Sequence, residues 1–100
     1  MKHGSLLLID DDRGVRESMA SWLREQGHQV ETAVGRADGL RKVDAQAFDL
    51  VLSDIRLEDG DGFDVLAHCR AKHPDTTVIL MTGYGTMETG VEALRAGAFD

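Results

Sequence analysis

Four short apolar runs, separated by segments of helical periodicity, leave this 100-residue chain few folds to adopt. The first run, "SLLLI" at 5–9, is apolar on both faces, as a central strand of a parallel sheet must be. "FDLVLS" at 48–53 and "TVILM" at 77–81 have the same character. "HQVETA" at 28–33 sets Val30 and Ala33 among polar neighbours, which predicts a half-exposed edge strand.

The intervening segments read as helices. Asp12 caps the first and Gly27 stops it, with Val15, Met19, Trp22 and Leu23 at helical spacing. A weaker helix is predicted over 36–46, with Ala37, Leu40 and Val43 inward. Gly39 inside it costs about 1 kcal/mol relative to alanine. Asp61-Gly62 forms a cap and tight turn opening a third helix over 61–72, with Phe63, Leu66 and Cys69 or Ala67 on the packed side. His73-Pro74 closes that helix. A last helix, 86–96, carries Met87, Val91 and Leu94 and stops at Gly97.

Strands alternating with helices imply an α/β domain with a parallel sheet and right-handed crossovers. Placing the polar second strand at an edge favours the order 2-1-3-4, a doubly wound sheet that binds ligands at the switch between strands 1 and 3. The run "TVILM" is apolar on both sides, yet no strand follows it before the final "AFD". The expectation is one domain over 1–100 whose C-terminal end is incomplete.

Charge and composition narrow the function. The net charge of -7 and pI near 4.9 argue against nucleic-acid binding by this segment, because phosphate contact needs a basic face. Cys69 is the single cysteine, so no internal disulfide forms, and no apolar stretch approaches the length of a membrane span. A cytoplasmic location is expected. His3, His28, His68 and His73 show no metal-ligand spacing; His68 and His73 are five apart and are expected at the surface. Arg13, Arg16, Arg24, Arg41 and Lys42 read as solvated helix faces. There is no Ser-His-Asp set, CxxC, P-loop or dinucleotide GxGxxG.

The chemistry concentrates at strand ends. Strand 1 runs into Asp10-Asp11, and strand 3 into Asp54. In a 2-1-3 sheet these ends are neighbours, so the carboxylates converge. A hard divalent cation relieves their repulsion best, and Mg2+ takes one or two carboxylates, waters and substrate phosphate. A backbone carbonyl at Arg56 would add a ligand. Asp12 reads as the helix cap instead. Thr82 ends the next strand, where its hydroxyl would reach a phosphoryl oxygen, and Gly83 and Gly85 flank Tyr84 in a loop able to rearrange.

"LLLIDDD", "DLVLSDIRLEDGDG", "VILMTGYG" and "ALRAGAFD" together resemble the receiver domain of two-component response regulators, nearest in flavour to the NtrC type, which precedes a sigma-54-dependent ATPase and a DNA-binding module. The resemblance runs from Leu6 to Asp100 and implies a flavodoxin-like, CheY-like fold whose fifth strand and helix lie beyond the chain. It implies Asp54 as phospho-acceptor, Asp10 and Asp11 as Mg2+ holders, and Thr82 as the switch hydroxyl. A sensor histidine kinase would donate the phosphoryl group, and the domain would catalyse only its own phosphorylation and dephosphorylation. The acylphosphate would shift a two-state surface that controls an output domain, transcriptional by analogy. A homodimer or strand-exchanged association is a further expectation. Two departures stand out: Glu58 replaces the proline usual four residues after the acceptor, and the family's lysine and aromatic switch residue fall past Asp100. The alternatives are a phosphorylation-independent interaction module and a phosphatase of the haloacid dehalogenase type.

Overall fold

The structure, a computed structural model, describes residues 4–81. In chain order it contains β1 (Ser5–Ile9), α1 (Arg13–Glu25), β2 (Gln29–Ala33), α2 (Arg36–Ala45), β3 (Leu50–Asp54), β4 (Arg56–Leu57), β5 (Gly60–Asp61), α3 (Gly62–Lys72) and β6 (Thr77–Met81). The main sheet has the order β2-β1-β3-β6, which is the expected 2-1-3-4, and every pairing in it is parallel. The glycine-rich loop "TGYG" with Thr82 and the last helix expected over 86–96 lie outside the described residues.

Alternation along β1 builds two cores. Leu7 and Ile9 point to one face, where they join Val43, Val51, Val65, Leu66, Cys69 and Leu80. Leu6 and Leu8 point to the other, against Ala20 and Leu23 of α1 and Val30. Helices therefore cover both faces of the sheet, as a doubly wound topology requires. Fully burying side chains of this size is worth ~1.5–3 kcal/mol each.

The helices differ from the sequence reading in which residues face inward. On α1, Ala20 and Leu23 are buried, whereas Val15 is 43% and Trp22 59% exposed. Ala20 and Leu23, three apart, form the buried stripe, and Trp22, two residues from Ala20, falls outside it. On α2, Ala37 is exposed, and the packed stripe is Gly39, Leu40 and Val43. A Cβ at Gly39 would stand 2.5 Å from Ile9 Cδ1, so the missing side chain lets α2 approach β1. On α3, Cys69 rather than Ala67 is buried, and Val65, not anticipated, is fully buried with it. Gly27, with φ 95°, follows the Gln26 cap of α1 as expected of a stop.

Several charged side chains read as solvated have structural roles. Arg16 donates to the Asp10 carbonyl at 2.8 Å, Arg24 to the Val30 carbonyl at 2.8 Å, and Lys42 to the Thr32 carbonyl. Arg13 remains exposed and pairs with Glu17 one helical turn away.

The loop after β3 contains an antiparallel hairpin, β4 with β5, too short for any periodicity to reveal. Its tip serves α2. Gly35, the N-cap of α2, has no side chain to offer, and the Asp59 carboxylate accepts from Arg36 N–H at 2.7 Å and Ala37 N–H at 2.9 Å. Those two bonds hold the Asp59 carboxyl below its ordinary value of 3.8. A carboxyl depressed by folding stabilises the fold above its unfolded-state value, and that contribution is lost as pH falls through the folded-state value. Asp59→Ala is thus expected to lower the thermal midpoint at neutral pH. The gap to the parent should close progressively below pH 3.8. Thermal melts of both proteins against pH check this; a gap that persists unchanged in strong acid would contradict the capping role.

Candidate functional site

The ends of β1 and β3 deliver the acidic site. Those strands are paired in register, Ile9 beside Ser53, so the residues that follow leave the sheet side by side. One carboxylate oxygen from each of Asp10, Asp11 and Asp54 lies within 4.8 Å of the others. Asp10 is buried, while Asp11 and Asp54 are half-buried.

Main-chain amides orient two of the three. Asp10 Oδ1 accepts from Asp12 N–H at 2.9 Å, and Asp54 Oδ1 accepts from Arg56 N–H at 3.3 Å. Asp12 adjoins them but has a different task, as its position predicted. It is the N-cap of α1 and accepts from Val15 N–H at 3.0 Å.

The electrostatics show a deficit of positive charge. Burial, and then the charges of Asp11 and Asp12, push the Asp10 carboxyl above its ordinary range, with the Asp12 amide and Arg16 opposing. Burial, and then Asp10 and Asp11, likewise raise Asp54, with the Arg56 amide opposing. Asp10 and Asp54 are thus both destabilised in the ionised form, by burial first and by neighbouring carboxylates second.

The three acids line a cleft with Asp12, Val15, Met19, Arg56, Leu57, Glu58 and Met81. Glu58 therefore borders the site, and the exposed edge of Val15 belongs to its wall. Beneath the cleft, Gly62 N–H donates to the Ile55 carbonyl at 2.8 Å. Asp61 caps α3 by accepting from Asp64 N–H at 3.1 Å, as expected. Asp10, Asp11 and Asp54 are thus together, Arg56 stands beside them through its amide, and Thr82 falls outside the described residues.

A second cluster was not anticipated. His68 Nε2 and His73 Nε2 both lie 2.8 Å from Asp44 Oδ1. The five-residue spacing assumed that both rings project from one regular helix. His73 is instead the C-cap of α3, with φ -133° and ψ 63°, and this turn swings its ring back to within 5.9 Å of His68.

Comparison with known proteins gives the site its setting. The family model described as the response regulator receiver domain matches residues 6–100. The photosynthetic apparatus regulatory protein RegA of Cereibacter sphaeroides is 38% identical over 96% of this chain and 52% of its own length. The response regulator protein PilR of Pseudomonas aeruginosa is 34% identical over 100% of this chain and 22% of its own length. The chain thus spans about half of one relative and about a fifth of the other. The solved beryllofluoride-activated NtrC4 receiver domain dimer superposes with a TM-score of 0.89 at 29% identity, covering 96% of this chain and 79% of that one. With the matched sheet order and the strand-end acids in place, the chain belongs to the response regulator receiver domain family.

Proposed function

We propose that this chain accepts a phosphoryl group on Asp54 from the histidine of a sensor kinase, in a Mg2+-dependent reaction, and that the modified domain controls an output module. The convergence of Asp10, Asp11 and Asp54 at the ends of two adjacent parallel strands carries the reading. Their donor set is all oxygen, partly buried and repelled by its own charge, and so fits a small hard cation. Asp10, Asp11, Asp54 and the Arg56 carbonyl would hold it. When bound, Mg2+ supplies the positive charge that offsets the phosphoryl oxygens during in-line transfer.

The chain's own groups do the rest. An ionised Asp54 oxygen attacks phosphorus, an O–P bond forms, and the bond from phosphorus to the kinase imidazole nitrogen breaks. The Arg56 N–H orients the carboxylate by donating to Asp54 Oδ1. Asp10 and Asp11 keep the cleft negative, so the acceptor is poorly reactive until that charge is offset. The switch role assigned to Thr82 belongs to this proposal, as do a cytoplasmic setting, a homodimer and a transcriptional output of the NtrC type. The domain is a regulatory acceptor whose only chemistry is on itself. Among the described residues, no helix is long and apolar enough to cross a membrane.

The test is intact-mass analysis after incubation with acetyl phosphate. With Mg2+, one acid-stable, base-labile phosphoryl adduct is expected; with a chelator, little or none. An adduct that forms equally without a divalent cation would contradict the proposed role of the acidic cluster.

A further inference from the structure

We propose that Asp44, His68 and His73 form a binding site for a first-row divalent transition ion of the zinc class, separate from the acidic cleft. Two imidazole nitrogens converge on one carboxylate oxygen at 2.8 Å each, and all three donor atoms lie within 4.8 Å of one another. Two nitrogens and one oxygen suit zinc and its neighbours, whereas the all-oxygen set at Asp10, Asp11 and Asp54 suits Mg2+. The chain therefore presents two sites of opposite preference.

The donors are held by the fold. Asp44 sits in the last turn of α2 and His68 in α3, while His73 is fixed by its own N–H donating to the Cys69 carbonyl at 2.7 Å. The side chains of His68 and His73 are only 19% and 29% exposed, and that of Asp44 is 47% exposed, so the site opens to solvent on one side. Zinc bonds of about 2.0–2.2 Å separate neighbouring tetrahedral donors by roughly 3.3–3.5 Å, so an ion needs an opening of about half an ångström. The half-exposed Asp44 can supply that by rotation. Water would complete the coordination from the open side.

The location separates this site from the acceptor. In a parallel α/β unit the helices run back against the strands, so the C-terminal ends of α2 and α3 lie at the amino edge of the sheet. Asp54 ends β3 at the carboxyl edge. An ion at Asp44, His68 and His73 would clip α2 to α3 far from the phosphoryl chemistry.

Equilibrium dialysis against micromolar free Zn2+, with excess Mg2+ to occupy the acidic cleft, tests the site. One equivalent is expected on the parent chain and on Asp54→Asn. His68→Gln and His73→Gln should each bind about tenfold more weakly or worse. Co2+ substitution should give the visible bands of a low-coordinate histidine site in the parent and not in His73→Gln. The parent's imidazole resonances provide a readout independent of any variant: those of His68 and His73 should shift on Zn2+ addition while that of His28 does not. Failure of the parent to retain Zn2+, equal retention by both histidine variants, or unchanged imidazole resonances would overturn the site and leave a hydrogen-bonded clip between two helices. None of these outcomes bears on Asp54.

Discussion

Asp54→Asn is expected to abolish the phosphoryl adduct and leave the fold intact. The amide nitrogen and neutral carbonyl that replace the carboxylate cannot supply an anionic oxygen to phosphorus, so the loss should be complete at the detection limit of intact mass. The shape of the side chain is conserved, and its oxygen can still accept from the Arg56 N–H at a similar distance to the present 3.3 Å. The effect on stability should have the opposite sign from a usual site mutation. Folding raises the Asp54 carboxyl above its ordinary value, through burial first and then through Asp10 and Asp11. A group raised in the folded state is more stable protonated, so its ionised form costs stability at neutral pH. Removing that charge should therefore raise the thermal midpoint in a chelator, and Mg2+ should narrow the gap by stabilising the parent more. An adduct that survives in Asp54→Asn would place the acceptor elsewhere, and a lower midpoint in chelator would contradict the crowding of charge at the site.

The acidic site was legible in the sequence because each part had a local signal. Doubly apolar runs marked the inner strands, and an Asp at each strand end then had only one edge to occupy. Even the division of Asp10, Asp11 and Asp12 into site and cap followed from where the helical periodicity begins, and Asp12 does cap α1. The features that escaped share a different property: they depend on contacts between distant segments or on backbone turns outside regular elements. Asp59 caps α2 from 23 residues away, with no motif linking the two. His73 reaches Asp44 because it sits just off the end of α3, where helical spacing no longer applies. Helical spacing placed Trp22 inward with Val15, Met19 and Leu23, whereas the buried stripe of α1 runs through Ala20 and Leu23 and leaves Trp22 in solvent.

Gly62→Ala is the second substitution with a large expected effect, and it links packing to the site. An added Cβ would stand 2.6 Å from the Asp54 carbonyl oxygen and 2.9 Å from Leu80 Cδ2. The first contact is with main chain, and that main chain ends β3 in register with Met81 of β6. The second is with a side chain only 6% exposed, inside the larger core. Leu80 Cδ2 can rotate, but the Asp54 carbonyl cannot yield without moving a strand, so overpacking should cost about 1–3 kcal/mol. For a domain of this size each kcal/mol lowers the midpoint by roughly 4–8 °C. Gly39→Ala provides the contrast. Its Cβ also meets an atom at 2.5 Å, but that atom is the terminal Cδ1 of Ile9, which can rotate. Alanine also gains about 1 kcal/mol of helix propensity over glycine there, so the net loss should be smaller. Gly62→Ala should in addition slow phosphoryl acceptance under conditions where the variant remains folded, because the crowded carbonyl belongs to Asp54, the proposed acceptor. Equal midpoints for Gly62→Ala and the parent would show that β3 and α3 can separate freely, and the acceptor would then not be held by the packing beneath it.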